Sequence, residues 1–472
     1  MARVRGTGGS RQRSRRVRIG ERDRRLTPCA GVEAVREVDR VLGLTAALEQ
    51  GIGAVKQRAR GLSGGQLLTA LASAQLTGAD FLVRLDERRT DAAGQRLEPV
   101  PTPASTTAAG IARRFTGEHL RGIERAIGQV NTRMVSLVGQ VRRSTLLRTA
   151  TIDGDTTDVE VFGRLKEQAE YSHTGQRNLR PHLGFWAEAG VPLAGELMAG
   201  AADPRSNCVA VLDRSIAALP AGVQTIRCRW DAGYFAAALA RACVERGVAF
   251  AIGAKRNTAV IRAAQAAGLR WVPAVGMDDT ECAVIDYLPG AWPPGVVCIA
   301  RRTRIPVERI PTERARKRRT IPKDQLALAL NGRIEAVFGY SFILTNLDVS
   351  DDESLAEVEW WYRHRTDIEA LNKDGKLGAA LRHLPSGSHA VNSVWMWAAL
   401  LACAISAWLQ EITGLDYGNG RGRRTVARLR RELICVPARV IRRGGVIWLR
   451  LPPGEQLLAT VLPELQRLPR AG

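Results

Sequence analysis

A chain of 472 residues that is 45% apolar, with a mean hydropathy of −0.13, is globular, soluble and expected to hold two to four domains. Its net charge of +22 makes a polyanion the expected partner; seven lysines leave 62 of its 69 basic residues as Arg, part of which reflects GC-rich codons shared with Ala and Gly. Eight cysteines without a C-x-x-C pair or a nearby His cluster exclude a zinc site and a disulfide framework and fit a reducing cytoplasm.

Residues 1–25 hold ten arginines and no apolar core, which reads as a disordered basic tail for DNA phosphates and not as a secretory signal. From Leu26 to about Gly139 the apolar spacing is helical. The motif LSGGQ at Leu62–Gln66 matches transporter-type ATPases, but no G-x4-G-K-[ST] loop exists to hold a nucleotide, so it is read as a helix start and no nucleotide cofactor is expected. A helix opening at Ser105-Thr106-Thr107 carries Arg113, Arg114, Arg121 and Arg125; it reads equally as a recognition helix or an ordinary exposed basic helix.

From Arg148 the period becomes two. TATIDGDTTDVEVFG is a strand with Asp153, Asp155 and Asp158, residues 171–190 supply two further strands, and SNCVAVLDRSIAAL is a helix. TIRCRWDAGYF ends a strand at Asp231, with Ile226, Cys228 and Trp230 on the opposite face, and β-α-β-α units follow. These make an α/β fold, a mixed sheet with helices on both faces. Short strand-like segments between about Leu269 and Ser350 form a β-rich insertion, with Arg314 to Arg319 available for phosphates. AVNSVWMWAALLACAISAWL at 390–409 approaches the length of a membrane span but, with Asn392, Ser393 and Ser406, reads as a buried helix; no membrane partner is expected. ARVIRR-GG-VIWLRL near the end is a two-residue-turn hairpin.

The stretch Trp360 to Lys376 carries Tyr362, Arg365, Glu369 and Lys376 at offsets of three, four and seven. On one continuous helix, opened by a Ser354–Glu357 capping box, these share an arc of about 60°. Gly375 costs about 1 kcal/mol there and places Lys376 near the helix end. Asp155, Asp231 and Glu369 together suit hard divalent cations, because an all-oxygen donor set matches Mg2+ or Mn2+. Two such ions about 4 Å apart serve in-line phosphodiester displacement. Taken singly, Asp155 is a strand-edge carboxylate and Asp231 a helix cap; Asp153, on the same strand face, is the alternative to Asp155. Arg365 and Lys376 suit phosphates, and Tyr362 suits a phosphate or a displaced base. His173, His182 and His364 receive no role.

Tyr-x2-Arg-x3-Glu-x6-Lys, with TIDGDTTDVEVFGR, RCRWDAGYFAAALARA and EWWYRHRTDIEALNKDGKLGAALRHLPSG, resembles the DDE transposases of the bacterial insertion-sequence family thirteen-eighty over nearly the whole chain. The resemblance implies a ribonuclease H-like mixed-sheet catalytic core with a β-rich insertion, preceded by a helical DNA-binding region. It divides the chain into a tail at 1–25, a helical DNA end-binding region at 26–147, core at 148–268, insertion at 269–350, core with the Tyr-Arg-Glu-Lys helix at 351–410 and a basic C-terminal region at 411–472. It places catalysis and two Mg2+ or Mn2+ ions on Asp155, Asp231 and Glu369, and DNA on Tyr362, Arg365 and Lys376. Implied partners are double-stranded DNA, as terminal inverted repeats and target, and a second copy on that DNA, in the bacterial cytoplasm. The alternatives are a nuclease on the same core without strand transfer, and a transposase-derived DNA-binding regulator.

Overall fold

The computed structural model describes residues 18–57, 60–172, 175–313, 315–415 and 422–471; most of the basic tail, His173 and Arg314 lie outside them. Among the described residues fourteen strands appear in chain order: β1 (Leu26–Thr27), β2 (Thr149–Thr156), β3 (Val159–Glu160), β4 (Glu170–Tyr171), β5 (Arg177–Trp186), β6 (Val191–Ala199), β7 (Thr225–Trp230), β8 (Ala249–Gly253), β9 (Val272–Pro273), β10 (Thr280–Ile285), β11 (Val297–Pro306), β12 (Ala336–Thr345), β13 (Ala438–Arg443) and β14 (Val446–Arg450).

Eleven of them form one sheet in the order β3-β5-β2-β7-β8-β12-β11-β10-β9, with β4 and β6 also pairing β5. β5 runs antiparallel to β2 and β6, whereas β2, β7 and β8 are mutually parallel, so the sheet is mixed as the periodicity predicts. β6 falls in VPLAGELMA, a stretch whose nearly continuous burial hides the two-residue alternation. The segments read as insertion strands fall on β9 to β12, and these extend the same sheet through the antiparallel β8–β12 pair.

The N-terminal region is helical. Ser63 of LSGGQ is an N-cap: its hydroxyl accepts from the Gln66 N–H while the Gln66 side chain accepts from the Ser63 N–H. The basic helix expected from Ser105 is two helices, Ser105–Ala112 and Gly117–Leu137, because Thr116 and His119 form a capping box that starts the second afresh. Ser105 Oγ bonds Asp86 and caps nothing. Arg121 and Arg125 both pair with Glu118 on the second helix.

The apolar run at 390–409 is a helix, His389–Thr413, buried against β6 and the Gly64–Leu76 helix. Two of its indoles are bonded inside the protein: Trp408 Nε1 donates to Asn131 Oδ1 at 2.9 Å and Trp395 Nε1 to the Ala380 carbonyl at 3.2 Å. The C-terminal hairpin turns at Gly444 and Gly445, both with positive φ (58° and 80°), which two-residue turns of this hand require. β1 adds to it as a third strand.

Candidate active site

Parallel pairing sets the first two carboxylates. β2 and β7 align Asp153 with Arg229 and Gly154 with Trp230, so Asp155 and Asp231 follow at the carboxyl ends of neighbouring strands, where open α/β sheets place their ligands. Gly154 is required by packing: a Cβ there would lie 1.8 Å from the Trp230 ring. The indole therefore fills the space over Gly154, and alternation puts Asp155 and Asp231 on the opposite face.

Asp153 is engaged by an ion pair. It is fully buried and accepts two bonds from Arg229, Nε to Oδ1 and Nη2 to Oδ2, each 2.7 Å. Arg229 Nη1 also donates to the Trp361 carbonyl at 2.6 Å, which fastens the end of the next helix to the sheet.

That helix differs from the expected one. The N-cap is Asp351, boxed with Ser354, and the helix Asp352–Arg363 stops at a 3-10 turn, His364–Thr366, before a second helix, Asp367–Leu377. Side chains compete for the backbone there: His364 Nδ1 lies 2.7 Å from the Trp360 carbonyl and Thr366 Oγ1 donates to the Arg363 carbonyl at 3.2 Å. Tyr362, Arg365 and Glu369 consequently sit on a helix, a turn and another helix, not on one straight face.

The break separates their surroundings. Tyr362 donates its hydroxyl to the Trp230 carbonyl at 3.3 Å, in space that Gly253 leaves open; a Cβ at Gly253 would lie 2.7 Å from that hydroxyl. Tyr362, Arg365 and Asp231 line a hollow of about 640 Å³ together with Lys255, Arg301 and Lys317. Arg365 Nη1 is buried without a hydrogen-bond partner. Burial works against the Arg365 charge, but Tyr362, Asp231, Asp155 and Asp153 outweigh it and raise its pKa.

Glu369 is exposed and lines a second hollow with Asp155, Asn372 and Lys376. Lys376 Nζ donates to the Asp158 carbonyl at 2.8 Å, and burial lowers its pKa. Asp231 Oδ1 accepts from the Gly233 N–H at 2.8 Å, capping a 3-10 turn, so its singly read role as a cap is also real. Burial pushes the Asp155 carboxyl up to about 7; Arg365 pulls it down, and Asp231 and Glu369 push it further up.

Asp231 and Glu369 thus each act on Asp155 through space. Among the described residues no three His, Cys, Asp or Glu side chains close around a single point as a finished metal site. Their fit to a hard divalent cation lies in the donor set, all carboxylate oxygen, and in the like-charge repulsion at Asp155 that a cation relieves.

Two residues of this region escaped sequence reasoning. Asn372 Nδ2 donates to Asp155 Oδ2 at 2.9 Å; its position three after Glu369 was the available signal. Arg301, from β11, donates to the fully buried Glu359 at 2.8 Å and to Ser341 Oγ at 3.0 Å, tying β11 to the Asp352–Arg363 helix.

A family model described as transposase DDE domain group 1 matches residues 10–470. No curated protein matches the chain. Among solved structures, the piggyBac transposase synaptic complex with hairpin DNA is similar at a TM-score of 0.41 and 10% identity, over 86% of this chain and 78% of that one.

Proposed function

The chain belongs to the transposase DDE domain group 1 family, and on that premise we propose that it is the transposase of a bacterial insertion sequence of family thirteen-eighty. It excises the element at its terminal inverted repeats and reinserts it in target DNA. The observation that carries this reading is the placement of Asp155 and Asp231 at the carboxyl ends of adjacent parallel strands, within electrostatic reach of Glu369. The order β6-β5-β2-β7-β8, three antiparallel strands followed by parallel ones, supports a ribonuclease H-like core.

Asp155, Asp231 and Glu369 are the residues that would hold Mg2+ or Mn2+, which when bound supplies Lewis-acid stabilisation of phosphoryl oxygens. Asn372 holds Asp155 in orientation through its amide. Arg365 offers its unpartnered Nη1, and Lys376 its ammonium, to the phosphates flanking the cut. Tyr362 lines the hollow beside Asp231, where it suits a phosphate or a displaced base. Water attacks the phosphodiester at the element's end, and the freed 3′-hydroxyl then attacks target DNA. Pairing two ends calls for two copies of the chain on DNA, in the bacterial cytoplasm.

The test is excision in cells from a plasmid carrying the gene's own flanking ends, comparing wild type with Glu369→Gln at matched expression. Excision by wild type alone is the expected result. Equal excision by both sinks the site assignment. Cleavage of the ends without joining by purified protein favours the nuclease alternative, and binding without cleavage the DNA-binding regulator.

A further inference from the structure

We propose that the outer face of the three-stranded sheet β1-β13-β14, together with the exposed tip of its hairpin from Arg442 to Ile447, is a second contact surface for duplex DNA, separate from the carboxylate site. It rests on the DNA-acting reading above and adds where the duplex is gripped outside the hollows that flank Asp155 and Asp231.

The register assigns the faces. Thr27 pairs with Ala438, and Val440 with Leu449, on the inner side, where Thr27, Ala438 and Val440 are buried. The alternate rows must then point outward: Leu26 beside Arg439 beside Arg450, Ile441 beside Trp448, and Arg443 beside Val446. Leu26, Val446 and Trp448 are 55%, 55% and 58% exposed, a high value for a tryptophan. Arg442 and Ile447 belong to the inner row but lie next to the turn, beyond the body of the protein, and both are exposed.

Two features point to a polyanion. Arg439 and Arg450 stand directly opposite one another, a like-charge cross-strand pair that weakens a sheet and in which Asp23 offsets only the Arg439 charge. Arg439 has Asp23 at 3.2 Å; among the described residues Arg442, Arg443 and Arg450 pair with no carboxylate. The apolar strip of Trp448, Ile441 and Val446 runs between these cations, the aromatic and basic mixture that suits sugar and base edges flanked by phosphates. A two-stranded ribbon also fits a major groove about 12 Å wide. A second copy of the same face would set these arginines against one another, so the occupant is DNA.

The experiment uses the full chain with Arg442, Arg443 and Arg450 changed together to Ala, and a charge-matched control with Arg89, Arg262 and Arg333 changed to Ala. Thermal unfolding first verifies that both fold as wild type does. Binding to a duplex of about 30 base pairs is then followed by fluorescence anisotropy over a salt series. At about 0.9 per phosphate contact, loss of three contacts lowers the slope of log K against log salt by about 3 in the triple variant, with the control near wild type. Trp448→Ala is expected to weaken the salt-independent part, read at high salt.

A triple variant with wild-type slope and affinity overturns the proposal. So does a triple variant that turns a dimer into a monomer in sedimentation, which makes the face a self-interface, or wild-type protein that prefers vesicles of anionic lipid to duplex at equal phosphate through these arginines. Wild type that binds no duplex overturns this proposal and the DNA-acting reading together; retained wild-type binding with an unchanged variant overturns this one alone.

Discussion

Asn372 Nδ2 and Asp155 Oδ2 are 2.9 Å apart, so the helix that carries Glu369 reaches across and fixes the first strand's carboxylate by an amide one turn further on. A carboxylate that must present both oxygens in one orientation depends on such a partner. Hydrogen bonds to a charged group contribute about 1.5–3 kcal/mol. Asn372→Ala is therefore expected to lower the DNA-cleavage kcat by about 10- to 100-fold with KM for DNA little changed. Steady-state cleavage kinetics check this; an equal rise in KM with constant kcat would show that Asn372 binds DNA and does not position Asp155.

Asp153 and Asp155 are two residues apart on one face, and the two are expected to fail in different ways. Asp153→Asn leaves the buried Arg229 without its carboxylate, which costs about 3–5 kcal/mol, and loosens the anchor to the Trp361 carbonyl. Asp155→Asn keeps the fold and removes cleavage. Urea unfolding alongside cleavage assays separates them, and an Asp153→Asn protein of wild-type stability would show that the pair is not structural.

These two aspartates also mark how far the amino-acid sequence could be read. Alternation placed both on one face, and the resemblance chose Asp155, but nothing local revealed that Arg229, 76 residues away, would claim Asp153. Long-range ion pairs leave no spacing signal. The helix break at His364–Thr366 was hidden for a related reason: the four motif residues keep a helical spacing, while the interruption comes from side chains bonding carbonyls nearby. β6 was hidden because a strand covered on both faces does not alternate. The hairpin, with its Gly-Gly turn, needed only local chemistry, whereas its pairing with β1 joins residues more than 400 positions apart.

Glu124 gives a pH signature away from the site. Burial pushes its carboxyl up to about 7, against the pull of Arg214 and the Gly195 N–H, which it meets at 3.0 Å each. The folded pKa lies above the unfolded one, so the folded protein binds the proton more tightly. The stabilisation is fully present below about pH 4 and is lost as pH rises to about 7. Glu124→Gln is expected to flatten the fall in thermal midpoint across this window. A variant whose midpoint falls as steeply as wild type would assign the loss to other groups.

The carboxylate set also predicts a stability response that needs no turnover. A ligand bound only by the folded state stabilises it, by about 2.7 kcal/mol when present at 100 times its dissociation constant. Asp155, Asp231 and Glu369 offer oxygen donors suited to Mg2+ or Mn2+, and the repulsion that Asp231 and Glu369 exert on Asp155 is what a cation offsets. Titrating Mn2+ into wild type is therefore expected to raise the thermal midpoint, with Asp155→Asn and Glu369→Gln each losing most of that rise. Asp153→Asn supplies the contrast: where it folds at reduced temperature, its midpoint still climbs with Mn2+, because the carboxylate it removes is bonded to Arg229 in the wild type. Equal rises in wild type, Asp155→Asn and Glu369→Gln would place cation binding elsewhere and remove the chemical basis for the assignment.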